Sequence, residues 1–183
     1  MIKNIFFTIC AVLICFVIWF TYNVGFFQSV EIREEQMGPL SLAYKDHVGP
    51  YHQIIDAISA VEAWAKEKKI PCKKTFGEYL DDPQIVEHER LRSLGGCVIE
   101  TPPSDLASGL PADIHLKEIP QKNYVVGLFR GAPMIGPFKV YPKMEEYFHN
   151  HQLQKGTSII EIYEMANEKD LLTKYLFEIV GKK

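Results

Sequence analysis

Positive charge is nowhere concentrated in this chain. Its 20 Lys and Arg are scattered among 23 Asp and Glu, for a formal net charge of −3. Contacts to phosphate need clustered cations, so nucleic acid is not an expected partner. Cysteine is also scarce, with four in 183 residues. No Cys-x-x-Cys pair and no Cys/His group at zinc spacing occurs, so neither a metal site nor a cofactor is expected. His149 and His151 stand two apart in a helical stretch and face apart. Gly49-Pro50 and Gly131-Ala132-Pro133 lack the Lys-Ser/Thr ending of a phosphate loop and read as backbone geometry.

Charge is missing altogether from Ile5 to Val30, beginning IFFTICAVLICFVIWF. A bilayer-spanning helix needs about 20 apolar residues. The exit is aromatic (Trp19, Phe20, Tyr22, Phe26, Phe27), which suits a membrane interface better than the small residues of a signal-peptide cleavage site. Residues 1–29 therefore read as an uncleaved anchor, followed by one domain over 30–183. Lys3 and the N-terminal amine precede the anchor, whereas Glu31, Arg33, Glu34 and Glu35 follow it. The positive-inside rule then puts the soluble domain on the non-cytoplasmic side of a single-pass membrane protein. Cys72 and Cys97 flank a predicted strand pair. An oxidising compartment would allow them to join, but the strand register is undefined, so paired and free thiols both remain open.

After the anchor, VEIREEQMGPLSLAYKDH reads as strand, turn, strand. YHQIIDAISAVEAWAKEKK is an amphipathic helix, with Ile54, Ile58, Val61 and Ala65 at three- and four-residue steps. Trp64 joins its core side. CKKTFGEYL and LRSLGGCVIE are strands, and residues 101–112 form a loop rich in Pro, Ser and Gly. The pattern then recurs: IHLKEIP, KNYVVGLFRG, a helix in FKVYPKMEEYFHNHQ interrupted early by Pro142, then SIIEIYE and LLTKYLFEIV. Gly49 to Glu78 spans 29 positions and Gly131 to Glu161 spans 30. Two such units, over 30–100 and 113–180, predict a pseudo-twofold α+β domain with helices on one side of each antiparallel sheet and a groove between halves, where the opposite sheet faces meet.

In SIIEIYE, Ile160 and Ile162 share one strand face, and Ile159, Glu161 and Tyr163 share the other. Glu161 is either a solvated surface acid or a carboxylate lining a cavity. Glu78 is its expected counterpart in the first repeat, as a second groove acid or a solvated strand residue beside Lys73 and Lys74. Asp81-Asp82-Pro83 offers paired acids but is also ordinary turn chemistry. His47 and Tyr51 bracket Gly49 and lie at the groove mouth or on the surface. Arg130 alternates away from Phe129 and points out of the groove.

The segments LSLAYKDHVGPYHQI, FGEYLDDPQIVEHERLRSLGGCVIE, YVVGLFRGAP and IIEIYE, in this order, resemble the GyrI-like small-molecule-binding family from about Val30 to Val180. The anchor followed by these motifs is also similar to the membrane-anchored branch of that family, the GyrI-like domain of a testis-expressed ER-phagy receptor. The resemblance implies two β-α-β-β units around a groove, with the acid of EIY, here Glu161, among aromatics that bind cationic compounds. Some relatives hydrolyse electrophilic rings, and one binds a protein. No helix-turn-helix and no long tail follow the motifs, so regulatory and autophagy roles do not carry over. Where relatives have tryptophans on the second helix, this chain has Phe138 and Tyr147. The expected ligand-binding set is Glu161, Tyr163, Tyr44, Tyr79, Phe129 and Phe138, with plain core packing the alternative for Tyr44, Tyr79, Phe129 and Tyr163, and for Phe129 first of all. Three functions compete: a binding module for a small amphipathic or cationic ligand, a hydrolase using Glu161 as base with a tyrosine as donor, and a protein-interaction module. The sequence shows no unambiguous second catalytic group, which favours binding.

Overall fold

The computed structural model describes residues 2–99, 110–165 and 171–182; most of the loop expected over 101–112 lies outside them. The elements are α1 (Ile2–Asn23), β1 (Glu31–Met37), β2 (Leu40–Val48), α2 (Ile54–Glu67), β3 (Lys74–Tyr79), β4 (Arg92–Ile99), β5 (His115–Ile119), β6 (Lys122–Arg130), α3 (Gly136–Asn150), β7 (Leu153–Met165) and β8 (Leu171–Lys182). The two expected repeats are β2-α2-β3-β4 and β6-α3-β7-β8. Their strands join through β3 and β7 into one antiparallel eight-stranded sheet, ordered β1-β6-β8-β7-β3-β4-β2-β5.

That order is unchanged when the two repeats are exchanged, so a pseudo-twofold axis passes between β3 and β7. The outer strands cross over. β1 precedes the first repeat but pairs with β6 of the second, and β5 pairs with β2 of the first. The strand–turn–strand read around Gly38-Pro39 is thus a point where two strands part to opposite halves. Gly49 and Gly131, at φ +137° and +154°, make equivalent strand-to-helix turns in a conformation that glycine adopts without a Cβ clash.

Both helices cover the same face. α2 buries Ile54, Ala57, Ile58, Val61, Trp64 and Ala65. α3 buries Val140, Met144 and Phe148 against Val125, Phe129 and Phe177. The opposite face is apolar as well, and there Ile160 and Ile162 meet Phe76 and Leu176. β5 and β6 lie near opposite ends of the sheet yet are joined only through Pro120 and Gln121, so the sheet curls around this cluster. Each such side chain, fully buried, contributes roughly 1.5–3 kcal/mol. Pro142 does not interrupt α3, which runs unbroken through it. The amide it lacks would have bonded the carbonyl of Phe138, a residue on the exposed side of the helix.

Cys72 and Cys97 form a disulfide, with Cα atoms 5.5 Å apart. It ties the approach to β3 onto β4, beneath the end of α2. α1 is long and apolar enough to cross a bilayer by length and composition, and none of its apolar window is buried in the protein. The segment after it is docked: Ala132 N–H donates to Val24 O at 3.1 Å, and the Lys139 ammonium donates to the carbonyls of Phe26 and Gln28.

Candidate functional site

Along β7, alternation places Ile160 and Ile162 in the apolar cluster and turns Glu161 to the helix-covered face. There it lies beside the strip of sheet that separates α2 from α3, and only 3% of it is exposed. Tyr141, on the α3 turn next to buried Val140, donates to Glu161 Oε1 at 2.7 Å. Tyr163 donates to Oε2 at 2.9 Å. The Tyr163 hydroxyl is also 3.0 Å from that of Tyr79, whose ring stands edge-on to Tyr51 with centroids 4.7 Å apart. Tyr51 is fixed in turn by Asp81, donating to its carbonyl at 2.6 Å and accepting from its amide at 3.0 Å.

The carboxyl of Glu161 is pushed up to about 7 by burial, against the two tyrosine hydrogen bonds that favour its ionised form. Burial and the nearby carboxylate raise the phenols of Tyr79, Tyr141 and Tyr163, so these stay protonated donors. Tyr175, opposite Glu161 in the β7–β8 ladder, is fully buried, and its hydroxyl finds no hydrogen-bond partner among the described residues. The hydroxyls of Ser93 and Thr173 are also without one. Ser93 is opposite Tyr79 in its ladder and Thr173 is opposite Tyr163. The site is therefore one acid in a ring of phenols, edged by polar atoms whose hydrogen-bonding capacity is unused.

Residues 30–180 match the GyrI-like small molecule binding domain family. The chain belongs to that family. DNA gyrase inhibitor 2 of Dickeya dadantii (strain 3937) is 36% identical over 47 residues, which is 25% of this chain and 30% of the inhibitor's length. Among solved structures, the C-terminal domain of EcmrR matches with a TM-score of 0.61 at 13% identity, covering 83% of this chain and 98% of that domain. EcmrR in its DNA complex matches at 0.64 and 12% identity, with 69% of its chain covered and all of this one. SAV2435 bound to tetraphenylphosphonium matches at 0.50 and 17% identity, covering 82% of this chain and 94% of that one. At these identities the likeness is one of fold.

In this GyrI-like domain, three of the six expected ligand residues come together: Glu161, Tyr163 and Tyr79. Tyr44 does not join them, because it sits on the other sheet face against His115. Phe129 is fully buried in the core beneath α3, and Phe138 is 80% exposed. Glu78 is not the counterpart of Glu161. It is buried on the opposite face, where Lys117 donates to both its oxygens at 2.8 and 3.1 Å. Laying Gly49 on Gly131 and following the ladders places Gly77 on Glu161, Tyr79 on Tyr163 and Ser93 on Thr173. The β3–β7 offset differs by one residue from the spacing counted in sequence, and one residue is enough to change face.

Asp81 and Asp82 act in the turn. Asp82 Oδ1 accepts from Gln84 N at 2.8 Å, and Asp81 holds Arg92 through both carboxylate oxygens. That guanidinium keeps the Asp81 carboxyl below the usual range. His47 Nε2 contacts Pro50 O at 3.2 Å, Arg130 is exposed, and Trp64 is core. Tyr141 and Tyr175 are the site residues that sequence reasoning missed. Tyr141 had one signal, its place beside Val140 on the amphipathic helix; Tyr175 had only its strand parity. Among the described residues, no three His, Cys, Asp or Glu side chains gather so as to hold a metal ion.

Proposed function

We propose that this GyrI-like domain is a membrane-anchored binding module for a small amphipathic cation, with Glu161 as the recognition group. One observation carries the reading: the Glu161 carboxylate is buried, and among the described residues only phenols are bonded to it. A buried carboxylate without a positive partner is costly unless something offsets it. A cation seated beside Glu161 would do so, and contact with the faces of Tyr79, Tyr141 or Tyr163 would add about 0.5–2 kcal/mol. Tetraphenylphosphonium in the structure of SAV2435 is a lipophilic cation of this kind. The unused hydroxyls of Ser93, Thr173 and Tyr175 suit a ligand that also carries polar groups.

Anchoring is proposed through α1, with the domain on the non-cytoplasmic side. The disulfide supports that side, since such bonds persist in oxidising compartments. The test is calorimetric titration of the full chain in lipid nanodiscs with tetraphenylphosphonium, with protein-free discs correcting for partition into lipid and Glu161→Gln as the comparison protein. Saturable binding that Glu161→Gln weakens at least tenfold is expected. Equal binding by both proteins would remove Glu161 as the recognition group and favour a protein-interaction role. Turnover of an electrophilic probe that depends on Glu161 would assign the site to hydrolysis instead.

A further inference from the structure

Large apolar side chains are exposed where α1 meets the domain. Phe26 and Phe27 follow the helix at 53% and 70% exposure, and Met134 and Phe138 flank the start of α3 at 77% and 80%. Contacts already described hold the two pairs together. Val24 O bonds Ala132 N, two residues before Met134, and Lys139, next to Phe138, bonds the carbonyls of Phe26 and Gln28. The Lys139 ammonium also lies 5.8 Å from the centre of the Phe26 ring. Met165, 57% exposed at the end of β7, pairs with Leu171, whose carbonyl accepts from Gly131 at this same corner. Arg130, adjacent to Gly131, and Lys143, one helical turn along α3 from Lys139, are exposed.

We propose that this corner, formed by Phe26, Phe27, Met134 and Phe138, is a membrane-seating surface that inserts into the interface of the bilayer crossed by α1. The inference rests on the anchor reading. If α1 spans the bilayer, the chain leaves the membrane at this point, and the docked segment at Val24–Gln28 is too short to carry the corner away from it. Aromatic and Met side chains match the depth of the headgroup boundary, and Arg130 and Lys143 match its phosphates. The surface gives the domain a fixed attitude on the membrane. It sets α3, which carries Tyr141 to Glu161, at the lipid boundary, so an amphipathic ligand dissolved in the bilayer has a short path to the acid.

Depth can be read by quenching tryptophan emission with brominated phosphatidylcholine in vesicles containing the full chain. Trp19 lies in α1 and Trp64 in the core, so the otherwise native protein reports the anchor itself. In a Trp19→Phe background, Phe138→Trp reports the corner, and Ile55→Trp, 57% exposed on α2, serves as the matched control. Expected is strong quenching of Trp19, at least half of the Phe138→Trp signal lost, and no loss from Ile55→Trp. Trp19 quenched with Phe138→Trp untouched would overturn the seating surface and leave the anchor standing. Trp19 and Phe138→Trp both untouched would overturn both. Phe138→Trp quenched with Trp19 untouched would remove the anchor and overturn the proposal as stated, since the corner would then bind a bilayer that α1 does not cross. Equal quenching of Ile55→Trp would overturn the choice of this corner.

Discussion

Gly77 faces Glu161 across the β3–β7 ladder, and the pseudo-twofold makes the two residues equivalent. The symmetric frame thus carries a single acid, with a closely packed glycine where its mate would stand. A Cβ at residue 77 would meet Ile54 Cδ1 and the Tyr79 hydroxyl at 3.1 Å each. Gly77→Ala should push that hydroxyl away from Tyr163. The backbone gains about 0.5–1 kcal/mol from reduced chain entropy while close packing takes a similar amount back. Thermal melts should therefore change little, whereas tetraphenylphosphonium affinity should fall several-fold. Unchanged affinity would separate Tyr79 from the site.

Stability should depend on pH through Glu161. Its folded value, about 7, lies above the ordinary 4.5. Between these values the native state keeps a proton that the unfolded chain has released. Stability from this residue is full below about pH 4.5 and declines as pH rises through about 7. The loss is on the order of 3 kcal/mol. Urea titrations should show this decline in wild type and not in Glu161→Gln, which should be the more stable protein at pH 8. Glu164→Gln, on a half-buried acid near Lys74 and Lys174, should stay within about ±0.5 kcal/mol at either pH.

Ligand affinity should move in the opposite direction. A cation needs the ionised acid, so tetraphenylphosphonium should bind more tightly as pH rises towards 7, by up to about tenfold per unit, and level off above it. A flat profile in calorimetry from pH 5.5 to 8 would show that the carboxylate does not take part.

Tyr141→Phe removes the hydroxyl bonded at 2.7 Å to Glu161 Oε1. With one stabilising donor gone, the acid should titrate still higher. The variant should lose about 1–3 kcal/mol at pH 8 and less at pH 5, where the acid is neutral. Carboxyl NMR of the folded domain would show the shift directly.

A soluble fragment should begin at Val24 rather than Val30. Starting at 30 deletes the acceptors of Ala132 N and of the Lys139 ammonium. Both fragments should fold, with 24–183 more stable by about 1–3 kcal/mol in denaturant titration. Equal midpoints would mean that the docked segment adds nothing.

Protein isolated without reductant from cells that make it should give a linked Cys72–Cys97 peptide in non-reducing mass mapping. The bond closes a loop of sequence separation 25, worth about 3 kcal/mol by loop entropy. Cys72→Ser should cost about that amount without reductant and nearly nothing with it. Two free thiols would count against the non-cytoplasmic placement.

Much of the architecture was legible in the chain because it is written in local periodicity. Ile54, Ile58, Val61 and Ala65 mark α2, the parity of SIIEIYE separates Ile160 and Ile162 from Glu161, and two glycines mark equivalent turns. Local pattern singled out Glu161 but left it either a surface acid or a cavity carboxylate; only the fold buried both faces of its strand. What periodicity does not contain is the offset between strands distant in sequence. That offset is set by side-chain packing across the whole sheet. Tertiary packing alone replaced Glu78 with Gly77 as the partner of Glu161 and sent Tyr44 to the far face. It also brought Tyr141 from α3 and Tyr175 from β8 to the acid, drew Cys72 to Cys97, and folded the aromatic segment after α1 against α3. A strand shifted by one residue exchanges its two faces, so the identity of a site between two repeats rests on registers that no single segment encodes.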